Sequence, residues 1–315
     1  MYPFVMSLSA TQLEQSFGAL LDQVPRLRDR SEISELSGGL TNRNLKVSTD
    51  SGIYVARISS NESSLLSINR EAEYRNSIIA ADAGVGAPVY DYLPGAGLLV
   101  IGFLTGQTYD AKEVAANLPR IAQGIKTLHQ AKPFVRDFDM FEIQKSYLSI
   151  VKERRFKIPE RYDELAKYGH ELFMAFRDTD EGKVPCNNDL LAANFIDDGS
   201  KIWLIDYEYS GNNDPCFELG NLWSESFLPI DALRELVTAY YGEDRPDKFA
   251  RAWLFSVFAK YGWTLWASIQ DGISELDFDF WAWGMKKYSD VLRDFGSDFY
   301  YEQLANLRRN TPGSP

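Results

Sequence analysis

The chain has 315 residues, enough for one large domain or two lobes around a substantial core, and its 45% hydrophobic share is that of an ordinary globular protein. Its 45 acidic against 33 basic residues leave a formal charge of -12, which argues against nucleic acid as a partner and favours a cationic one. Cys186 and Cys216 give no disulfide framework, two histidines cannot build a usual zinc site, no apolar run is long enough to cross a bilayer, and the first residues lack the basic start and apolar stretch of a secretion signal, so a cytoplasmic location with no membrane contact is expected.

Leu13, Phe17, Leu20, Leu21 and Val24 recur at helical spacing and predict a helix over 11–27. A strand over 33–36 follows, then Ser37-Gly38-Gly39-Leu40-Thr41-Asn42. The two glycines let the backbone approach a phosphate, and a turn of N–H groups can cradle it; the same residues also suit a plain hairpin turn. Strands are predicted over 43–48 and 53–59, joined by Thr49-Asp50-Ser51-Gly52. Arg57 lies on the second of these, placed either to hold a nucleotide phosphate or to reach solvent. A helix over 68–83 carries Glu71 and Glu73 as possible partners for Arg57, with position favouring Glu73. Strands over 89–93 and 98–104 around Pro94-Gly95-Ala96-Gly97 complete a first lobe of five strands and one helix, residues 1–105.

The second lobe, 106–315, reads as mostly helical, with helices over 114–131, 140–152 and 161–177 and His129 as a cap or packing residue. Further on, helices over 249–268 and 278–292 are rich in aromatics. Trp263 and Trp266, three apart, share a helix face and serve either as core or as a seat for a cation.

Residues 184–221 carry the chemistry. Asp189 is followed five residues later by Asn194, then by the turn Asp197-Asp198-Gly199-Ser200, then by an apolar strand, 201–205, leading into Asp206-Tyr207-Glu208. Phosphoryl transfer needs such a set: one carboxylate orients the attacking hydroxyl, while an amide and a second carboxylate hold Mg²⁺ on the phosphates of ATP. Leu204 and Ile205 should be buried and carry Asp206 inward. Glu208, two residues on, should point the same way on an extended backbone.

This stretch resembles the choline/ethanolamine kinase family, within the wider aminoglycoside-phosphotransferase and protein-kinase-like fold. The likeness rests on Asn187-Asn188-Asp189 with Asn194, on Ile205-Asp206-Tyr207-Glu208-Tyr209-Ser210, and on Phe217-Glu218-Leu219-Gly220-Asn221. The family has His where this chain has Asn187. The resemblance implies an α+β protein of two lobes, the small one a five-stranded antiparallel sheet with a helix, the large one mostly helical. It implies Asp189 as the group that orients the acceptor hydroxyl, and Asn194 and Asp206 as Mg²⁺ ligands, with Glu208 near a second metal position. Arg57, set by Glu73, would hold ATP phosphates under the loop of Gly38, Gly39, Thr41 and Asn42. Backbone groups of Ile101, Phe103 and Leu104 would meet the adenine edge. Trp263, Trp266, Trp283 and Glu225 match residues that hold the cationic head of a small amino alcohol, choline first and ethanolamine second. Another small-molecule kinase of the superfamily, for an aminoglycoside or thiamine, and a non-catalytic nucleotide-binding protein are the alternative readings.

Overall fold

The computed structural model describes residues 8–36, 41–59 and 65–309. Helix α1 (Ala10–Leu21) leads into strands β1 (Arg30–Leu36), β2 (Asn42–Thr49) and β3 (Gly52–Ser59), then helix α2 (Arg70–Asp82) and strands β4 (Val89–Leu93) and β5 (Leu98–Gly102). These strands form one antiparallel sheet in the order β1-β2-β3-β5-β4, so β3, which carries Arg57, is its central strand. Leu13, Leu21 and Leu27 pack on Leu45, Val47 and Val100 to close one face of the sheet. The first helix is shorter than its periodicity predicts. It ends at Leu21, and Pro25, which has no N–H to give, opens a separate 3-10 turn instead.

A small three-stranded sheet begins the large lobe with β6 (Gln107–Thr108). Helices α3 (Ala111–Ala116), α4 (Leu118–His129), α5 (Met140–Arg154) and α6 (Ala166–Asp178) follow. The single helix expected over 114–131 is broken at Asn117, because Pro119 fits only the first turn of a new helix. Strands β7 (Val184–Cys186), β8 (Phe195–Asp197), β9 (Ile202–Leu204) and β10 (Gly211–Asn213) fold the chemistry-bearing stretch onto itself: β7 pairs with β10, and β8 with both β6 and β9. Asp198 Oδ1 accepts the N–H groups of Ser200 and Lys201, which makes the predicted turn between β8 and β9. Gly106 is fixed by this sheet, since a Cβ there would strike the Asp197 carbonyl.

Helices α7 (Pro215–Glu225), α8 (Ile230–Tyr241), α9 (Pro246–Ile273), α10 (Phe280–Asp294) and α11 (Asp298–Arg309) complete the chain. The 28-residue α9 is buried nearly end to end, with α5, α7, α10 and α11 packed around it. Apolar residues on all its sides explain why it reads as continuous hydrophobic sequence rather than a stripe. Gly220 lets α7 approach it closely, since any Cβ there would clash with the carbonyl of Ala252. Helix α2 belongs to both lobes. Asn76, fully buried, donates to Ser210 and accepts the Val135 N–H, tying the small lobe to the large one behind the cleft. Among the described residues no helix is long and apolar enough to cross a membrane.

Candidate active site

Two backbone kinks bring the chemistry-bearing segments together. Asn188 and Asp206 both have positive φ, 67° and 62°. Asn and Asp tolerate this conformation better than most residues, and such kinks concentrate at functional sites. Asn187 links the two. Its Nδ2 donates to the carbonyls of Ile205 (3.1 Å) and Asp206 (2.8 Å), while its Oδ1 accepts the Asp189 N–H at 3.1 Å. The departure from the family's His therefore falls on a residue that still clamps both segments.

Asn194 is buried, and its Nδ2 donates to the Asp189 carbonyl at 2.8 Å. That bond turns Oδ1, which takes no hydrogen bond among the described residues, into the free end of the amide. Asp206 spends Oδ1 on Arg57 Nη2 at 2.6 Å and keeps Oδ2. An amide oxygen and a carboxylate oxygen are hard donors of the kind Mg²⁺ takes, so Asn194 and Asp206 fit that ion. Burial pushes the Asp206 carboxyl up to about 6 against the pull of Arg57. Burial also holds the half-buried Asp189 carboxyl well above its ordinary range; Asp206, Glu208 and Glu225 add to this and Lys287 opposes it. Among the described residues the Asp189 carboxylate makes no hydrogen bond, which leaves it free for an acceptor hydroxyl.

Glu208 is differently placed from the expectation. The strand ends at Leu204, so period-two alternation does not carry past it; the αL kink at Asp206 is what brings Asp206 and Glu208 to the same guanidinium. Both Glu208 oxygens are taken by protein donors. Oε1 accepts from Thr41 Oγ1 (2.8 Å), and Oε2 from Asn42 Nδ2 (2.8 Å), Arg57 Nη2 (3.0 Å) and Arg70 Nη1 (3.2 Å). It is a latch between the start of β2, the central strand and the large lobe, not a free metal ligand. Burial pushes its carboxyl up, but the two arginines with Asn42 and Thr41 outweigh this and hold it below the usual Glu value.

Arg57 Nε lies 3.1 Å from Glu73 Oε1, an ion pair without hydrogen-bond alignment, and Glu73 Oε2 takes Arg70 Nη1 at 2.7 Å. Glu73 is buried on α2, whereas Glu71 is a surface partner of Arg75. Arg57 Nη1 makes no hydrogen bond among the described residues. Arg70 was missed in the sequence because an Arg at a helix start ordinarily reads as solvated. Gly38 and Gly39 lie outside the described residues. At the predicted hinge, Ile101 is paired within the sheet and the Phe103 N–H is already given to the Ile53 carbonyl at 3.1 Å. The Phe103 N–H is therefore not free for a ligand, and Leu104 follows as the chain leaves β5.

The catalytic loop is braced from beneath. Glu218 Oε1 accepts the N–H groups of Asn187 and Asn188 (2.8 and 3.2 Å), and its Oε2 lies 2.6 Å from His129 Nε2. His129 Nδ1 is 2.8 Å from Tyr240 OH. His129, expected only to cap or pack, is therefore part of a sealed support for the loop.

Beyond Tyr209 the residues are aromatic. Trp263 Nε1 donates to Asn221 Oδ1 and Trp266 Nε1 to Tyr209 OH, both at 3.0 Å. Tyr209 also meets the Trp263 ring edge-on at 5.2 Å, and Trp266 meets Trp283 at 5.4 Å. Tyr209, one residue past Glu208, joins the polar half of the cleft to the aromatic half; its place in the motif was the available signal. Glu225, at the end of α7, does not stand free: it is ion-paired to Lys287.

Known proteins resemble this chain in sequence and in fold. The choline/ethanolamine kinase family profile matches residues 33–235. A crystal structure of a choline/ethanolamine kinase family protein from Mesorhizobium loti superposes with a TM-score of 0.82 at 26% identity, covering 94% of this chain and 99% of that one. Protein LicA of Haemophilus influenzae is 28% identical over 214 residues, 64% of this chain and 61% of its own, so the chain spans less than two thirds of that relative's length. A probable ethanolamine kinase of Arabidopsis thaliana is 25% identical over 294 residues, 82% of this chain and 78% of the relative. With the profile covering well over half its residues, the chain belongs to the choline/ethanolamine kinase family.

Proposed function

We propose that this protein transfers the γ-phosphoryl group of ATP to the hydroxyl of a small amino alcohol, choline or ethanolamine. The observation that carries the reading is the convergence of Asp189 and Asp206, clamped by Asn187, with Asn194 bonded to the Asp189 carbonyl, beside a group of indoles. Asp189 orients the acceptor hydroxyl and takes its proton as the new O–P bond forms and the bond from the γ-phosphorus to the β–γ bridging oxygen breaks, with ADP as the leaving group. Asn194 and Asp206 would hold Mg²⁺, which when bound would neutralise phosphate charge. Arg57, pre-set by Glu73 and Glu208, offers Nη1 to the phosphates, and the work is positioning and charge compensation. Trp263, Trp266, Trp283 and Tyr209 line the acceptor side, which suits a compact organic cation better than a polycationic antibiotic.

The test is incubation with ATP, Mg²⁺ and a panel of acceptors: choline, ethanolamine, an aminoglycoside and thiamine. Phosphocholine or phosphoethanolamine as the product supports the reading. Transfer only to the aminoglycoside or to thiamine, or to none of the four, removes it.

A further inference from the structure

Two residues expected to receive the substrate's positive charge already hold one. Lys287 Nζ lies 2.5 Å from Glu225 Oε1 and 4.2 Å from the centroid of the Trp283 ring. The Lys287 and Glu225 side chains are only 5% and 6% exposed, so this is a sealed pair and not a passing surface contact. Its construction follows from the helices. Trp283 and Lys287 are four apart on α10 and share a face, and the end of α7 brings Glu225 across to them. The pair is joined to the polar groups of the cleft through the rings: Trp283 meets Trp266 at 5.4 Å, and Trp266 Nε1 donates to Tyr209 OH at 3.0 Å, one residue past Glu208.

This arrangement changes what the site can recognise. Glu225 is neutralised, so it offers an incoming headgroup little net charge, and the Trp283 ring already carries a cation. Driving Lys287 out would strand one buried charge and desolvate another. What remains is Glu225 Oε2, which takes no hydrogen bond among the described residues. A carboxylate oxygen in that state asks for an N–H donor. A primary ammonium supplies three, and a quaternary ammonium supplies none.

We propose that the Glu225–Lys287 pair makes this site select an amino alcohol whose nitrogen carries N–H, so that ethanolamine is a better acceptor than choline. This rests on the amino-alcohol kinase reading and reverses the order that the sequence resemblance implies. Lys287 is a specificity residue on this account: it acts through Glu225 and Trp283, without touching the transferred phosphoryl group.

The experiment measures kcat/KM for ethanolamine, N-methylethanolamine, N,N-dimethylethanolamine and choline, with wild type, Lys287→Met and Lys287→Arg, each checked by thermal melting. In wild type the value falls along the series, with the steepest step, about tenfold or more, where the last N–H is lost. In Lys287→Met, Glu225 and Trp283 are freed for a quaternary cation, and the choline-to-ethanolamine ratio rises about tenfold or more. Lys287→Arg keeps the wild-type order. Should Lys287→Met fail to fold, the Glu225→Gln/Lys287→Met double variant leaves no charge unpaired and loses the preference for ethanolamine. Wild type that uses choline as well as ethanolamine, or a ratio unmoved by replacing Lys287, overturns this inference alone. Absence of product from all four alcohols overturns the amino-alcohol reading and this inference with it.

Discussion

The two halves of the cleft are built on different physics. In the polar half, Arg57 and Arg70 are set among Glu73, Asp206 and Glu208, five charged side chains whose positions are fixed by hydrogen bonds and charge balance. In the aromatic half, position is fixed by volume, through Trp263, Trp266, Trp283 and Tyr209 packed ring against ring. Buried charges are costly unless every partner is present, so the first half should fail when one charge is removed at constant size. Packed rings tolerate loss of a hydrogen bond better than loss of volume, so the second should fail when a ring is truncated.

Arg57→Met is the largest test of that contrast. It keeps much of the side-chain volume but leaves Glu73 and Glu208 with Arg70 as their cation and takes from Asp206 its ion pair with Arg57. A destabilisation of about 3–5 kcal/mol is expected from chemical denaturation. Trp266→Ala should cost about 3 kcal/mol and raise the KM for the acceptor far more than that for ATP, whereas Trp266→Phe, which keeps one ring but loses part of the indole and its bond to Tyr209, should cost about 1–2 kcal/mol. A Trp266→Ala variant that weakens ATP and acceptor equally would reduce the aromatic wall to plain core. Asn187→Ala removes the clamp across both chemical segments and should cost about 1–3 kcal/mol together with a fall in kcat; Asn187→His should recover most of the loss.

The smallest effect lies outside both halves and serves as the control. Asp197 accepts Arg120 and Tyr109, bonds that hold its carboxyl below the ordinary Asp range. Arg120 is 42% exposed, so Arg120→Met should cost only about 0.5–1 kcal/mol at pH 7. Because the folded pKa is depressed, this stabilisation is present above the unfolded Asp value and lost as pH falls. The penalty of the variant should therefore shrink below about pH 4, and a penalty that grows on acidification would contradict the assignment.

How much of this was legible depended on whether spacing alone fixes position. Asp189, Asn194 and Asp206 could be read because a short loop and hairpin leave the chain little freedom between them. The five-strand sheet and α2 followed from alternation and helix-forming residues. The roles of Asn187, Glu218 and His129 were not legible, since each depends on hydrogen bonds between segments distant in sequence. For Glu208 the spacing indicates the shared direction with Asp206 but not that Thr41, Asn42, Arg57 and Arg70, all distant in sequence, take both its oxygens. Lys287 was invisible for a simpler reason: a lysine beside Lys286 on an amphipathic helix reads as solvated, and only α7 shows that it is buried against a carboxylate.

The most direct measurement of the central claim follows phosphoryl transfer to ethanolamine and choline by phosphorus NMR in wild type and Asp189→Asn, alongside MgATP binding by calorimetry. The account predicts a phosphorylated amino alcohol from wild type, and a roughly hundred- to ten-thousand-fold lower kcat in the variant with MgATP affinity intact. Undiminished turnover by Asp189→Asn, or loss of MgATP binding in step with activity, would contradict it.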